Sequence, residues 1–492
     1  MSRLQGLAGA VLVAFMQTSC AVGPDFHAPE APGVNTFLQG RPDDPARTDR
    51  VPGIALVRGA DIPPQWWELF HQPALDQLVE EGIAHNADLE AAEAALRVAQ
   101  ANALATRGVL LPTASAGFNA SRQQTPTQAL SSNATSGASI YSLYTPQVSV
   151  AYVADLWGGT RRQIETADAQ AEALRFQREG VYLTLTTNIA LAAIEEARLR
   201  GQIAATQRII GLQSELLRIL RRQNEQGQIA LPDVVAQETA VAQARLLLPP
   251  LERQLAQQRN LLAFLTGRFP SEYGIPTFAL GAFRAPRQIP LSLPADLVRQ
   301  RPDIRTAEAN LHAANAQIGV AIANRLPQIA ITGNAGNTAT SMAQLFAPGT
   351  GIWMIAGNAA QTVFDAGTLQ NKQLAAEEAT NQALAQYKSV VLAAFQNVAD
   401  VLRALQADNR TIAAAVAAER SASQNIGLVR RQVEQGQASV PILLAAQQAY
   451  LQTSLARVDA QAARLADTVA LFQALGGGWW NRLEVIAAGT AF

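Results

Sequence analysis

Arg221 to Pro232 reads RRQNEQGQIALP and Arg430 to Pro441 reads RRQVEQGQASVP, with eight of the twelve positions identical at an offset of 209. A second set recurs at an offset of 215: Asp88, Glu93, Leu96, Leu111 and Pro112 return as Asp303, Glu308, Leu311, Leu326 and Pro327. The chain is two similar halves. A period of roughly 210 residues far exceeds the ~20 to 50 of solenoids and propellers, so this is a duplicated domain and not a stacked array.

Outward from these stretches, no proline falls between Pro146 and Pro232, nor between Pro348 and Pro441, and both intervals are rich in Ala, Gln, Glu and Leu. Each predicts one long helix, Thr160 to Glu225 and Thr368 to Glu434, reaching about 100 Å at ~1.5 Å per residue. Helices of that length belong to coiled coils or bundles. Each ends at an EQGQ turn whose glycine supplies a left-handed C-cap. A return helix follows, with Pro232 or Pro441 in its first turn, where the missing N–H costs nothing; Asp233 adds a carboxylate at the positive end of the first.

Upstream of each long helix, the helix-patterned segments Leu75 to Arg107 and Ala295 to Asn324 stop before Leu-Pro, because proline disfavours helix at and before itself. Alternation with period two then begins. Ala114, Ala116, Phe118 and Ala120 oppose Thr113, Ser115, Asn119 and Ser121, and after a polar stretch Val148, Val150, Tyr152 and Leu156 oppose Gln147, Ser149 and Asp155. This predicts a hairpin over about 113–156. The second half repeats it over about 328–364, as Gln328 to Gly336 and Ile352 to Phe364, with a less clean alternation.

The composition agrees: 49% of residues are hydrophobic but only 6% aromatic and 16% charged, which favours long, closely approaching Ala-rich helices over a bulky aromatic interior. A net charge of −1 supplies no phosphate-neutralising patch, so nucleic acid is not an expected partner. The single cysteine, Cys20, permits neither an intrachain disulfide nor a thiolate cluster. Arg3, an apolar Leu7 to Met16 and small Thr18-Ser19 precede it, so residues 1–19 read as a secretory signal. Cys20 stands where a bacterial lipoprotein signal places the residue to be acylated, although Gln17 departs from the aliphatic residue such signals usually carry three positions earlier.

No later run reaches the about 18 apolar residues that a spanning helix needs, so any membrane span is β. Four strands of ~10 residues suit a bilayer but leave two open edges, which hydrocarbon does not tolerate. Closure therefore requires an oligomer: two chains give eight strands, three give twelve. Ser115, Asn119, Gln147 and Ser149 would face a watery lumen, and the Ala/Val/Phe set lipid; a soluble sheet with one wet face fits the same alternation.

Four further stretches stand out: CAVGPDFHAP at Cys20 to Pro29, PPQWWELFHQPALDQLVEEGIAHNADLEAAEA at Pro63 to Ala94, RPDIRTAEANLHAANAQIGVAIANRLPQI at Arg301 to Ile329, and LFQALGGGWW at Leu471 to Trp480. Together they resemble the TolC-like outer-membrane efflux proteins, and within them the NodT-like lipoprotein branch. The resemblance implies a mainly α fold with a membrane β-barrel portion: a homotrimer with a twelve-stranded barrel, continued by a periplasmic helical tunnel with an equatorial belt. It implies the outer-membrane channel of a tripartite efflux system, a passive duct for small molecules, partnered by a periplasmic adaptor and an inner-membrane pump and held in outer-membrane lipid. No cofactor is expected. On this reading residues 20–62 form a lipoprotein-like extended and equatorial segment, 63–280 and 281–478 the two repeats, and 479–492 a tail.

The family's tip turns correspond to Gly227, Gln228, Ala230, Pro232 and Asp233 and to Gly436, Gln437, Ser439 and Pro441, the expected adaptor contacts. Relatives often carry an acidic residue in the second tip, where this chain has Gln437, Ala438 and Ser439. Arg221 with Glu225 and Arg430 with Glu434 read either as a gate latch or as local i,i+4 surface bridges in the weaker orientation. Trp66, Trp67, Trp479 and Trp480 are expected in the equatorial belt, not at the membrane.

An enzyme is not indicated, since His27, His71, His85 and His312 are isolated and no HExxH, nucleophile elbow or P-loop occurs. A duct for type I protein secretion and a soluble periplasmic coiled-coil scaffold are the remaining alternatives.

Overall fold

The structure is a computed structural model that describes residues 21–38, 55–124, 140–271, 274–286 and 288–482. Cys20, the signal and most of the polar loop of the first hairpin lie outside these. The first helical segment is two helices, α1 (Pro73–His85) and α2 (Ala87–Gly108). Asn86 separates them: its side-chain oxygen accepts the N–H groups of Asp88 and Leu89 at 3.0 and 3.1 Å, capping α2. Strands β2 (Thr113–Gln124) and β3 (Ile140–Ala154) follow a short β1 (Ala55–Arg58), and α3 then runs unbroken for 67 residues, Gly159–Glu225.

The return of the first half is broken into α4 (Leu231–Leu246) and α5 (Leu248–Leu265), because Pro249 and Pro250 cannot donate to the preceding turn and fit only at a new helix start. In the second half β4 (Gln288–Leu291) pairs in parallel with β1. Then come α6 (Pro294–Gln300), α7 (Pro302–Ala323), β5 (Gln328–Asn337), β6 (Gly351–Ala360), α8 (Thr368–Glu434, 67 residues) and an uninterrupted α9 (Val440–Ala474). Strand β6 stops at Ala360, short of Phe364, where Asp365 instead caps α8 by accepting the N–H groups of Gly367 and Leu369 at 2.9 and 2.7 Å. Asp155 does the same for α3 through Thr160 and Arg161.

Two compact units cut across the sequence repeat, one within 1–29, 95–174 and 307–387, the other within 30–94, 175–306 and 388–492. The first holds the antiparallel sheet, in the order β2-β3-β5-β6. Both hairpins share one register. Ser115 faces Ser149 and Thr113 faces Ala151 in the first; Ala330 faces Asn358 and Gln328 faces Ala360 in the second, each number raised by 215 or 209. The sheet is continuous across the halves, Ser149 pairing with Asn334 and Ala154 with Ile329.

The second unit holds the main core. Trp66 stacks on Phe472 at 5.4 Å and meets Trp67 and Phe70 edge-on, and all four are essentially inaccessible. Leu75, Leu262, Val469, Leu471 and Leu475 complete it. Burying each such side chain contributes about 1.5–3 kcal/mol, which locks the helix ends around this cluster. Trp479 is buried beside Phe176, and Trp480 packs at the margin of the same core. The tryptophans are thus packing residues. Arg482 pairs with the buried Glu179 and lies over the Tyr182 ring at 4.0 Å. A second cluster, Leu216, Leu217, Leu220, Val234, Val241, Val429, Val440, Leu443 and Ala446, ties α3, α4, α8 and α9 together next to the two turns.

Candidate functional site

The two turns are built alike. In the first, the N–H of Gln228 donates to Gln223 O at 2.8 Å and that of Gly227 to Asn224 O at 2.9 Å; in the second, Gln437 donates to Gln432 O at 2.8 Å and Gly436 to Val433 O at 3.0 Å. This is the Schellman closure, which satisfies carbonyls the helix end leaves free. Gly227 and Gly436 both have φ of 71°, in the left-handed region where a side chain is strained. Ala230 and Ser439 are the extended N-cap residues of α4 and α9, and Pro232 and Pro441 sit in the first turn of each. Gly227, Gln228, Ala230, Pro232, Gly436, Gln437, Ser439 and Pro441 are exposed, and Asp233 is half-buried. The turn glycines, both glutamines and the first-turn prolines form two short exposed surfaces.

The ionic pairs divide. Arg430 Nε donates to Glu434 Oε1 at 2.9 Å, a bridge within α8. Arg221 turns away from Glu225: its Nη2 donates to Glu238 Oε1 at 2.7 Å, which fastens α3 to α4. Sequence spacing along one helix could not offer Glu238, because the pair depends on the turn bringing two antiparallel helices side by side. The Asn224 side chain donates to Ile229 O at 2.9 Å, a bond within the turn itself that helical periodicity does not register. Leu231, Val235 and Ile442 are exposed apolar residues close to the turns, and no periodicity argument singles them out.

The sheet supplies the other functional surface. Residues opposite one another in the ladder share a face. Ser115, Asn119, Gln147, Ser149, Thr332, Asn334 and Asn358 fall on one; Phe118, Val148, Val150, Ile331, Trp353 and Ile355 fall on the other. All six of these large apolar side chains are exposed in the single chain. Ile352 and Met354 lie on the polar face, which is why the second hairpin alternates less cleanly. Among the described residues no helix is long and apolar enough to cross a membrane.

A sequence profile described as outer membrane efflux protein matches residues 78–268 and 293–477, most of both halves. The chain belongs to the outer membrane efflux protein family. This efflux protein is 30% identical over 480 residues to the antibiotic efflux pump outer membrane protein ArpC of Pseudomonas putida, covering 97% of this chain and 96% of that one. It is 32% identical over 422 residues to the pyoverdine export outer membrane protein OpmQ of Pseudomonas putida, covering 84% and 88%. Its fold is that of the outer-membrane channel OprN, with a TM-score of 0.85 at 24% identity, over 94% of this chain and 100% of that one. The efflux protein is accordingly an outer-membrane component of an efflux system, mainly α-helical with a small sheet portion.

Proposed function

We propose that the chain is the passive exit duct of a tripartite efflux system, working as a homotrimer and catalysing no reaction. The observation that carries this is the four-stranded sheet with one polar face, one exposed apolar face and two outer strands, β2 and β6. Such a sheet is stable in hydrocarbon only when closed on itself, and three copies supply twelve strands. The polar face then lines a water-filled pore, and α3 and α8 with their return helices continue it as a periplasmic tunnel.

At the far end of those helices the turns at Gly227–Asp233 and Gly436–Pro441 dock on a periplasmic adaptor, behind which stands an inner-membrane pump. The relatives' names, one for antibiotics and one for pyoverdine, support small molecules as the exported class. Acylation of Cys20 would add a lipid anchor in the outer leaflet's partner monolayer. The test is dye accumulation in a Gram-negative strain that lacks its own efflux channels but carries an adaptor and pump. Expression of this chain should lower accumulation only when both are present. Unchanged accumulation, with the protein in the outer membrane and the complete pump expressed, would contradict the proposal.

A further inference from the structure

Across both hairpins and their loops, residues 108–154 and 326–364, a single side chain is charged: Arg122. Neither stretch contains a carboxylate, so no acid of either hairpin can neutralise it, and none in the same stretches of a second copy can. Arg122 is exposed. Its counter-charge has to come from outside the sheet.

The register puts this cation on the apolar face. Residues two apart on a strand share a face, so Arg122 continues the series of Ala116, Phe118 and Ala120, and it stands opposite Ser142. On β3 the same face runs from Ala154 at the helix end to Tyr144, the ring of which stacks on Phe118 at 6.5 Å. Ala154 and Tyr144 are ten positions apart in the chain. At ~3.4 Å per residue and a tilt of ~40°, that is about 25 Å of height, the apolar band of a membrane barrel. The Arg122–Ser142 row is the first beyond it, just past an aromatic pair of the kind that marks a membrane boundary.

Strand β2 begins shortly after α2 and β3 ends shortly before α3, so Arg122 lies at the end of the hairpin away from those connections. We propose that Arg122 and Ser142 bind the phosphate of a lipid headgroup in the outer leaflet. This rests on the barrel-forming duct proposed above and adds a lipid site to its outer wall. A guanidinium offers paired N–H donors that match phosphate oxygens, and directly opposite residues have Cβ atoms about 5 Å apart, so the Ser142 hydroxyl can donate to the same group. Near the headgroups an arginine on this face is tolerated, whereas at mid-membrane it would be costly.

The test is native mass spectrometry of the full-length oligomer, titrated with lipid A and with lipid A stripped of its phosphates. The parent should bind the phosphorylated form in preference. Arg122→Gln should weaken that binding about tenfold, the expected effect of losing a charge-assisted hydrogen-bonded pair, and should leave the phosphate-free form unaffected. Arg122→Lys should restore part of the preference. Arg325→Gln removes an exposed cation just before β5, at the helix end of the sheet, and should bind as the parent does.

Equal binding of the two lipids, unchanged binding by Arg122→Gln, or displacement of lipid A by millimolar inorganic phosphate would overturn the lipid site and leave the duct standing. A chain that stays monomeric outside the outer membrane would overturn the barrel reading on which the site rests.

Discussion

Arg221 and Glu238 meet across the first turn, Nη2 and Nε of the guanidinium donating to the same carboxylate oxygen at 2.7 and 3.2 Å. The partners lie on α3 and α4 and both side chains are about half exposed. In the second turn the corresponding arginine, Arg430, bonds within its own helix. The duplicated turns thus have the same backbone and different ionic fastening, and only the first pair resists separation of the two helices it joins.

Removing that fastening tests whether the first turn gates the duct. Arg221→Ala should move the melting temperature little, since exposed pairs contribute at most about 1 kcal/mol. Single-channel conductance should nevertheless rise, while Arg430→Ala should leave it unchanged. Equal conductance in both variants and the parent would remove Arg221 from any latch.

Within the chain, the turn glycines are needed for their backbone conformation. A Cβ at Gly227 or Gly436 would meet nothing within 4 Å, so the cost of alanine there is the left-handed strain, about 1–2 kcal/mol per site. Gly227→Ala and Gly436→Ala should speed hydrogen exchange at their own turn and not in the Trp66 core. Asparagine, which tolerates this region better, should do so less.

Asp408 of α8 is a pH-sensitive point of the helical bundle. Burial pushes its carboxyl up to about 7, with Asp467 of α9 adding a hydrogen bond and repulsion and Arg464 opposing. Its Oδ2 is buried without a hydrogen-bond partner. A raised carboxylate pKa means that the folded state holds the proton more tightly than the unfolded one, so stability is greatest below pH ~4 for this group and declines as pH rises towards 7. Asp408→Asn should therefore raise the melting temperature more at pH 8 than at pH 5. A shift equal at both would show that this group does not titrate in that window.

Arg162 fixes the segment that follows Cys20. The buried guanidinium donates to Val22 O at 3.2 Å, to Gly23 O at 3.3 Å, to Asp25 at 2.7 Å and to Glu165 at 2.7 Å, and Phe26 stacks on His312 at 4.4 Å. Arg162→Ala leaves those acceptors without their donor and should destabilise by about 1–3 kcal/mol. Limited proteolysis should then cut between Ala21 and Pro29 faster than in the parent. An unchanged cleavage rate would mean that the segment is held by other contacts.

The elements with strong local causes were legible in the sequence. Proline-free, Ala-rich stretches ended by EQGQ specify α3 and α8, and strict alternation specifies β2 and β3. What was not legible depends on side-chain hydrogen bonds that a hydrophobic pattern does not register, or on residues far apart in the chain. Asn86 divides the first helical segment because its side chain competes for the helix N–H groups, which a hydrophobic pattern does not register. Pro249 and Pro250 divide the first return into two helices, a break that helical composition alone does not show. The Arg221–Glu238 pair and the Arg162 cluster exist only once the fold has brought their partners together. The common register of the two hairpins required the paired strands themselves.

The central claim is that one face of the sheet lines a pore and the other meets lipid. Current through the purified oligomer in a planar bilayer, before and after a charged methanethiosulfonate reagent, tests it at two neighbouring positions of β3, with the parent chain as control for Cys20. Ser149→Cys should give channels whose current changes on labelling, and Val150→Cys channels that do not respond. Channels blocked through Val150→Cys but not Ser149→Cys, or no channels from the parent oligomer, would contradict the account.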